Sequence, residues 1–124
     1  MSIYITPHFR WSEALCTDTG LPNLPNDYAK ANLVQTFRIL ECVRNYCNFP
    51  LIINSAFRSD EVNNRVYELQ KKKPNKNSYH LDGRAVDISI KNLTEQQFNK
   101  LYNNLLTFMP IEIYYTKTFI HVAF

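Results

Sequence analysis

Two short stretches of this chain alternate with the period of a β-strand, and each sets one polar, metal-competent side chain among apolar neighbours. From Arg84 to Ile90, Val86 and Ile88 fall on one face and Ala85, Asp87 and Ser89 on the other. From Phe119 to Phe124, Ile120, Val122 and Phe124 share a face, and Phe119, His121 and Ala123 share the opposite one. The aliphatic faces need cover from the rest of the chain. Asp87, flanked by two small residues, leaves space for an ion.

The rest of the pattern supplies that cover. Leu33, Phe37, Leu40 and Cys47 recur at helical spacing, with Arg38, Glu41 and Arg44 elsewhere on the wheel, and predict a helix from about Tyr28 to Cys47. The stretch from Gly20 to Asp27, with Pro22 and Pro25, reads as the loop before it. Ser12 is placed to cap a short helix from Glu13 to about Thr17. After Pro50, Leu51 to Ile53 reads as a short buried strand. Ser59 caps a helix from Asp60 to about Leu69, Lys71 to Ser78 is a basic loop, and Thr94 caps a helix through Leu106. Ile111 to Tyr115 and Phe119 to Phe124 form a hairpin around Thr116, Lys117 and Thr118. This mixture predicts an α+β fold, a small and largely antiparallel sheet with flanking helices, in one domain over residues 1–124.

Composition narrows the function classes. A hydrophobic content of 45% excludes a disordered chain. No stretch approaches the roughly 18 apolar residues of a membrane helix. Residues 1–10 lack the apolar core of a signal peptide, so cytoplasmic synthesis is expected, with phage-mediated release as a route to a cell wall. A monomer with no membrane partner is expected. The net charge of +3 suits an anionic polymer and equally suits ordinary solubility. Lys71, Lys72, Lys73 and Lys76, near Tyr79, raise nucleic-acid binding, but no nucleic-acid motif accompanies them and none is expected. Cys16, Cys42 and Cys47 are odd in number, form no CxxC, and read as free thiols.

His80 precedes the first alternating strand, and Gly83 lets the chain turn between His80 and Asp87. With His121, these residues make a three-ligand set on separate elements, the pattern of a zinc site with one position open for water. The same spacing also serves packed core histidines.

At these residues the chain resembles the zinc D-Ala-D-Ala carboxypeptidase family of peptidoglycan-cutting enzymes. Ser78 through Asp87 is similar to the family signature SxHxxGxAxD, and Ser55 through Ser59 to its SGYRS element. Phe119 through Val122 resembles the closing aromatic-x-His-x element, and Trp11 to Glu13 and Leu24 to Asn26 resemble the N-terminal part of small members. Such proteins are common in bacteriophages and bacteria, as endolysins among others. The resemblance implies a hedgehog/D-Ala-D-Ala-peptidase-like fold and Zn²⁺ held by His80, Asp87 and His121. It implies that Arg58 binds and polarises the substrate carbonyl, a task suited to a permanently charged fork of donors. It implies that Ser78 supports the ligand loop through a hydrogen bond. The substrate would be a stem-peptide amide bond, of D-Ala-D-Ala or L-Ala-D-Glu type.

The chain departs from the family near the closing histidine, where active members carry a glutamate as general base. Thr118 stands three residues before His121 and Tyr115 six before. The nearest acid is Glu112. A hairpin loop of two or four residues would pair Glu112 directly across from His121, whereas three residues would bring Tyr115 to that face. The turn holds no Gly or Asn, which disfavours the two-residue form. Glu112 is therefore the candidate base, and the alternative is a zinc-binding or cell-wall-binding module that has lost catalysis.

Overall fold

The computed structural model describes residues 2–124. The longest element is α2 (Asp27–Cys47), preceded by a small hairpin of β1 (Tyr4–Thr6) and β2 (Phe9–Arg10) and one helical turn, α1 (Trp11–Ala14). There follow β3 (Ile53–Ser55), α3 (Asp60–Leu69), β4 (Ala85–Ser89), α4 (Glu95–Leu106), β5 (Glu112–Tyr115) and β6 (Phe119–Ala123). Among the described residues no helix is long and apolar enough to cross a membrane. The fold is α+β, as expected.

Strands β3, β4, β6 and β5 form one antiparallel sheet in that spatial order. The two central strands pair Ala85 with Ala123, Val86 with Val122, Asp87 with His121 and Ile88 with Ile120. Their aliphatic face is fully buried and joins the core built by Leu33, Phe37 and Leu40 of α2 and by Leu101 and Leu105 of α4. Each such side chain contributes about 1.5–3 kcal/mol on leaving water, so this face fixes the register. A one-residue slip would turn Asp87 and His121 into the aliphatic layer.

Local chemistry explains most boundaries. Asn26 caps α2, its Oδ1 accepting from the Ala29 N–H at 2.8 Å, and Asn48 ends the helix in the left-handed conformation. Ser59 caps α3, and Thr94 with Gln97 forms a capping box on α4. Elsewhere the structure corrects the sequence reading. Ser12 does not cap α1: Glu13 Oε1 accepts the Arg10 N–H at 2.9 Å, so the helix starts at Trp11. The third strand runs from Ile53 to Ser55 rather than from Leu51, with a bulge against β4. The terminal hairpin has a different register. Tyr114, not Glu112, lies opposite His121, and Glu112 lies opposite Ala123. Thr116 N–H donates to the Phe119 carbonyl at 2.9 Å, which leaves only Lys117 and Thr118 at the tip. The Thr116 hydroxyl accepts from the Thr118 and Phe119 N–H groups, each at 3.2 Å, and closes the turn without Gly or Asn.

Gly83 joins the sheet to α2. Its φ is +75°, and an added Cβ would stand 2.6 Å from the Ala29 carbonyl oxygen and 2.9 Å from Leu33 Cγ. Thr36 donates to the Gly83 carbonyl at 2.9 Å, and Asn32 to that of Asp82 at 3.0 Å. Gly83→Ala should therefore cost roughly 2–4 kcal/mol, from the left-handed backbone plus the overlap with α2. Urea unfolding checks this; a variant within about 0.5 kcal/mol of the parent, an ordinary surface value, would show that the loop can lift off α2 freely.

Candidate metal centre

One row of side chains crosses all four strands on the face away from the core: Ser55, Asp87, His121 and Tyr114. Asp87 and His121 are direct cross-strand partners. His80 joins them from the turn before β4, and the three are buried at 3%, 7% and 6% exposure for His80, Asp87 and His121. Their candidate ligand atoms all lie within 4.8 Å of one another. The cluster sits in a cavity of about 460 Å³ that Arg58, Ser78, Glu112 and Tyr114 also line.

Each histidine is held from behind. His80 Nδ1 lies 2.6 Å from the Ala56 carbonyl, which can only accept, so this nitrogen carries the proton. Nε2 is then left facing Asp87 Oδ1 at 3.3 Å. His121 presents Nδ1 to the same Asp87 oxygen at 2.8 Å and Nε2 to Glu112 Oε1 at 2.8 Å. Ser78 Oγ accepts the His80 backbone N–H at 3.3 Å, and the Arg58 N–H donates to the His80 carbonyl at 3.0 Å. The Arg58 side chain donates Nε to Ser55 Oγ at 3.1 Å and Nη2 to Asp87 Oδ2 at 3.3 Å.

This donor set fits zinc. His80 Nε2 and His121 Nδ1 both face Asp87 Oδ1, at 3.3 and 2.8 Å, so an ion among them would meet two imidazole nitrogens and a carboxylate oxygen, donors that zinc accepts. Donors about 2.0–2.2 Å from one ion stand roughly 3–4 Å apart around a tetrahedron, and these three, all within 4.8 Å of one another, need only small shifts to reach that spacing. The groups behind the imidazoles, a carbonyl and a carboxylate, are the types that orient metal-bound histidines. A stability role accounts for the cluster poorly, because buried ion pairs replaced by apolar residues usually leave a protein equally or more stable.

Electrostatics follow from the same contacts. Burial pushes the Asp87 carboxyl up, but hydrogen bonds from His121 and His80 outweigh it and hold the group well below the usual carboxylate range. Burial pulls His121 down, and its hydrogen bonds to Asp87 and Glu112 outweigh that and raise it. Burial, with the charges of Asp87 and Glu112, raises the Tyr114 phenol, which stays a neutral donor.

The structure thus brings His80, Asp87, His121, Arg58, Glu112 and Ser78 to one place. Glu112 arrives diagonally rather than from directly opposite His121. The sequence reading missed Tyr114, whose ring stacks on His121 at 4.6 Å between centroids and 19° between planes. It also missed Ser55 as the anchor of Arg58. Knowledge of the Thr116 turn would have found the first. His8 lies elsewhere, with its backbone N–H and Nδ1 on the Glu41 carboxylate.

Residues 7–123 match the Peptidase M15 family. A search of curated proteins finds no match. With nearly its whole length covered, and a buried His–Asp–His group able to bind a metal ion, the chain belongs to the zinc-dependent M15 peptidases, the D-Ala-D-Ala carboxypeptidase-like metallopeptidases.

Two outcomes are expected. Purified protein should carry about one zinc per chain, measured by elemental analysis; His121→Ala should lose it and His8→Ala should keep it. The second concerns pH. In chelator-treated protein the pair of ionised Asp87 and protonated His121 contributes fully between about pH 4 and 6.5, the unfolded-state pKa values of the two groups. Below that window Asp87 takes up its proton and the contribution falls; above it, native His121 loses its proton and the contribution falls again. Zinc reverses the upper limb, since bound imidazoles must be neutral, so the rise in Tm on adding zinc should be larger at about pH 7.5 than at about pH 5. An equal rise at both would contradict this account.

Proposed function

We propose that this chain hydrolyses a stem-peptide amide bond of peptidoglycan, of D-Ala-D-Ala or L-Ala-D-Glu type, with His80, Asp87 and His121 holding the zinc. The observation that carries the reading is the convergence, in one cavity, of the three-donor cluster with a guanidinium and a carboxylate that both touch it. Zinc in such a site supplies a Lewis acid and makes water nucleophilic near neutral pH, at a pKa of roughly 7.

The chain's own groups do the rest. Arg58 is held at two of its nitrogens, and Nη1 has no hydrogen-bond partner among the described residues. That nitrogen is the donor for the scissile carbonyl and for the negative charge that grows on its oxygen. Glu112 anchors one oxygen on His121 Nε2, and Oε2 has no hydrogen-bond partner among the described residues. In this reading Oε2 takes the proton of the attacking water and returns it to the leaving nitrogen, so amide and water become acid and amine. Ser78 holds the His80 backbone. The exposed Lys71, Lys72, Lys73 and Lys76 stand on the loop whose Asn75 and Ser78 line the cavity, and they suit an anionic wall polymer.

A second reading, a wall-binding module without catalysis, is favoured by Thr118 and Tyr115 at the positions where active members carry an acid. Zymography of zinc-loaded protein on purified cell walls, with mass spectrometry of released fragments, separates the two. Glu112→Gln should keep its zinc and lower turnover by roughly 10²–10⁴-fold. Tyr115→Phe should leave turnover unchanged, because that ring packs against Phe98 and Tyr102, away from the cluster. Full activity in Glu112→Gln would remove Glu112 from the reaction. Wall binding without fragments would favour the second reading.

A further inference from the structure

The cavity that holds the metal cluster does not end at Arg58. A second cavity, of about 400 Å³, adjoins it, and Arg58 and Asn54 line both. The bulge of β3 against β4 falls within Ile53–Ser55, the stretch that holds Asn54, and bulges beside active sites commonly re-aim a side chain. The apolar part of the second cavity is Val62 and Val66, one turn apart on α3, together with Cys16. Its single acid is Asp18, which forms no ion pair among the described residues.

The wall bearing Asp18 is fixed in place. Phe57 N–H donates to the Ala14 carbonyl at 3.0 Å. The buried Asn23 donates to the carbonyls of Leu15 and Phe57, at 3.1 and 3.0 Å, and accepts the Ser59 N–H at 2.7 Å. The segment before Asp18 is therefore tied on both sides to the segment that carries Arg58. The two compartments also differ in their charged surroundings. The lysine-bearing loop lines the first cavity through Asn75 and Ser78, and contributes nothing to the second.

We infer that the second cavity receives the substrate's peptide chain beyond the bond at Arg58, and that Asp18 pairs there with a side-chain amine. The substrate class is then a stem peptide with a free amine on its diamino acid. The inference rests on the hydrolytic reading above for the choice of peptide. Val62, Val66 and Cys16 would take the methylenes of that residue while its ammonium group reaches Asp18, the arrangement usual for long cationic side chains.

The test is calorimetric binding of a free-amine stem pentapeptide, and of the same peptide acetylated on that amine, to the zinc-loaded full chain, with cleavage followed separately. The parent should prefer the free amine by about two- to fivefold, the range of one solvent-exposed ion pair. Asp18→Asn should erase that preference and leave zinc content and the acetylated peptide unaffected. Val66→Trp, which fills the compartment, should weaken both pentapeptides and spare a dipeptide that ends at Arg58. A preference that survives in Asp18→Asn, or pentapeptide affinities unchanged in Val66→Trp, would overturn the inference, as would failure of the parent to bind either peptide. Peptides bound with the preference but left uncut would sink hydrolysis and keep the compartment. Peptides cut without any preference would do the reverse.

Discussion

The pairing of Asp87 with His121 across the two central strands is the contact on which the site depends. Each residue is the polar member of an alternating strand, and the aliphatic members on the opposite face are buried against α2 and α4. The core therefore sets the register, and the register sets the distance between carboxylate and imidazole. His80 is brought to the same carboxylate by a turn that lies flat on α2 only because residue 83 has no side chain. The metal centre is thus the polar reverse of the hydrophobic core.

Most of this was legible in the sequence because alternation and signature residues are local properties. Asp87, His121, their small neighbours and the turn at Gly83 can all be placed from the sequence alone. So can the caps of α2's successors: Ser59 and Thr94 precede their helices with the spacing the backbone N–H groups require. What the sequence hid were choices between near-equal local options. Ser12 and Glu13 compete to start α1, and the carboxylate wins by reaching back to Arg10. The small hairpin of β1 and β2 is too short to show a period. Leu51 and Ile52 look more strand-like than Asn54 and Ser55, yet pairing with β4 selects the polar residues.

The terminal hairpin shows why register matters more than element type. Both strands were foreseen, and an even loop did put Glu112 on the histidine's face. The turn nevertheless closes through a threonine hydroxyl rather than through the backbone freedom of Gly or Asn, and this moves the pairing by two residues. Tyr114 takes the seat across from His121, and Glu112 reaches over from the next pleat. A shift of two preserves faces and changes neighbours, and inspection of the sequence does not resolve it.

Arg58 and the two histidines lean on the two oxygens of one carboxylate. Anything that draws on Asp87 from the metal side alters the partner that steadies the guanidinium, and anything that engages the guanidinium alters the charge Asp87 offers the metal. Occupancy at these two places is then thermodynamically reciprocal, since whatever factor one occupant adds to the affinity of the other is returned in equal measure. Asp87 is in this sense a meter of both events as well as a ligand in one.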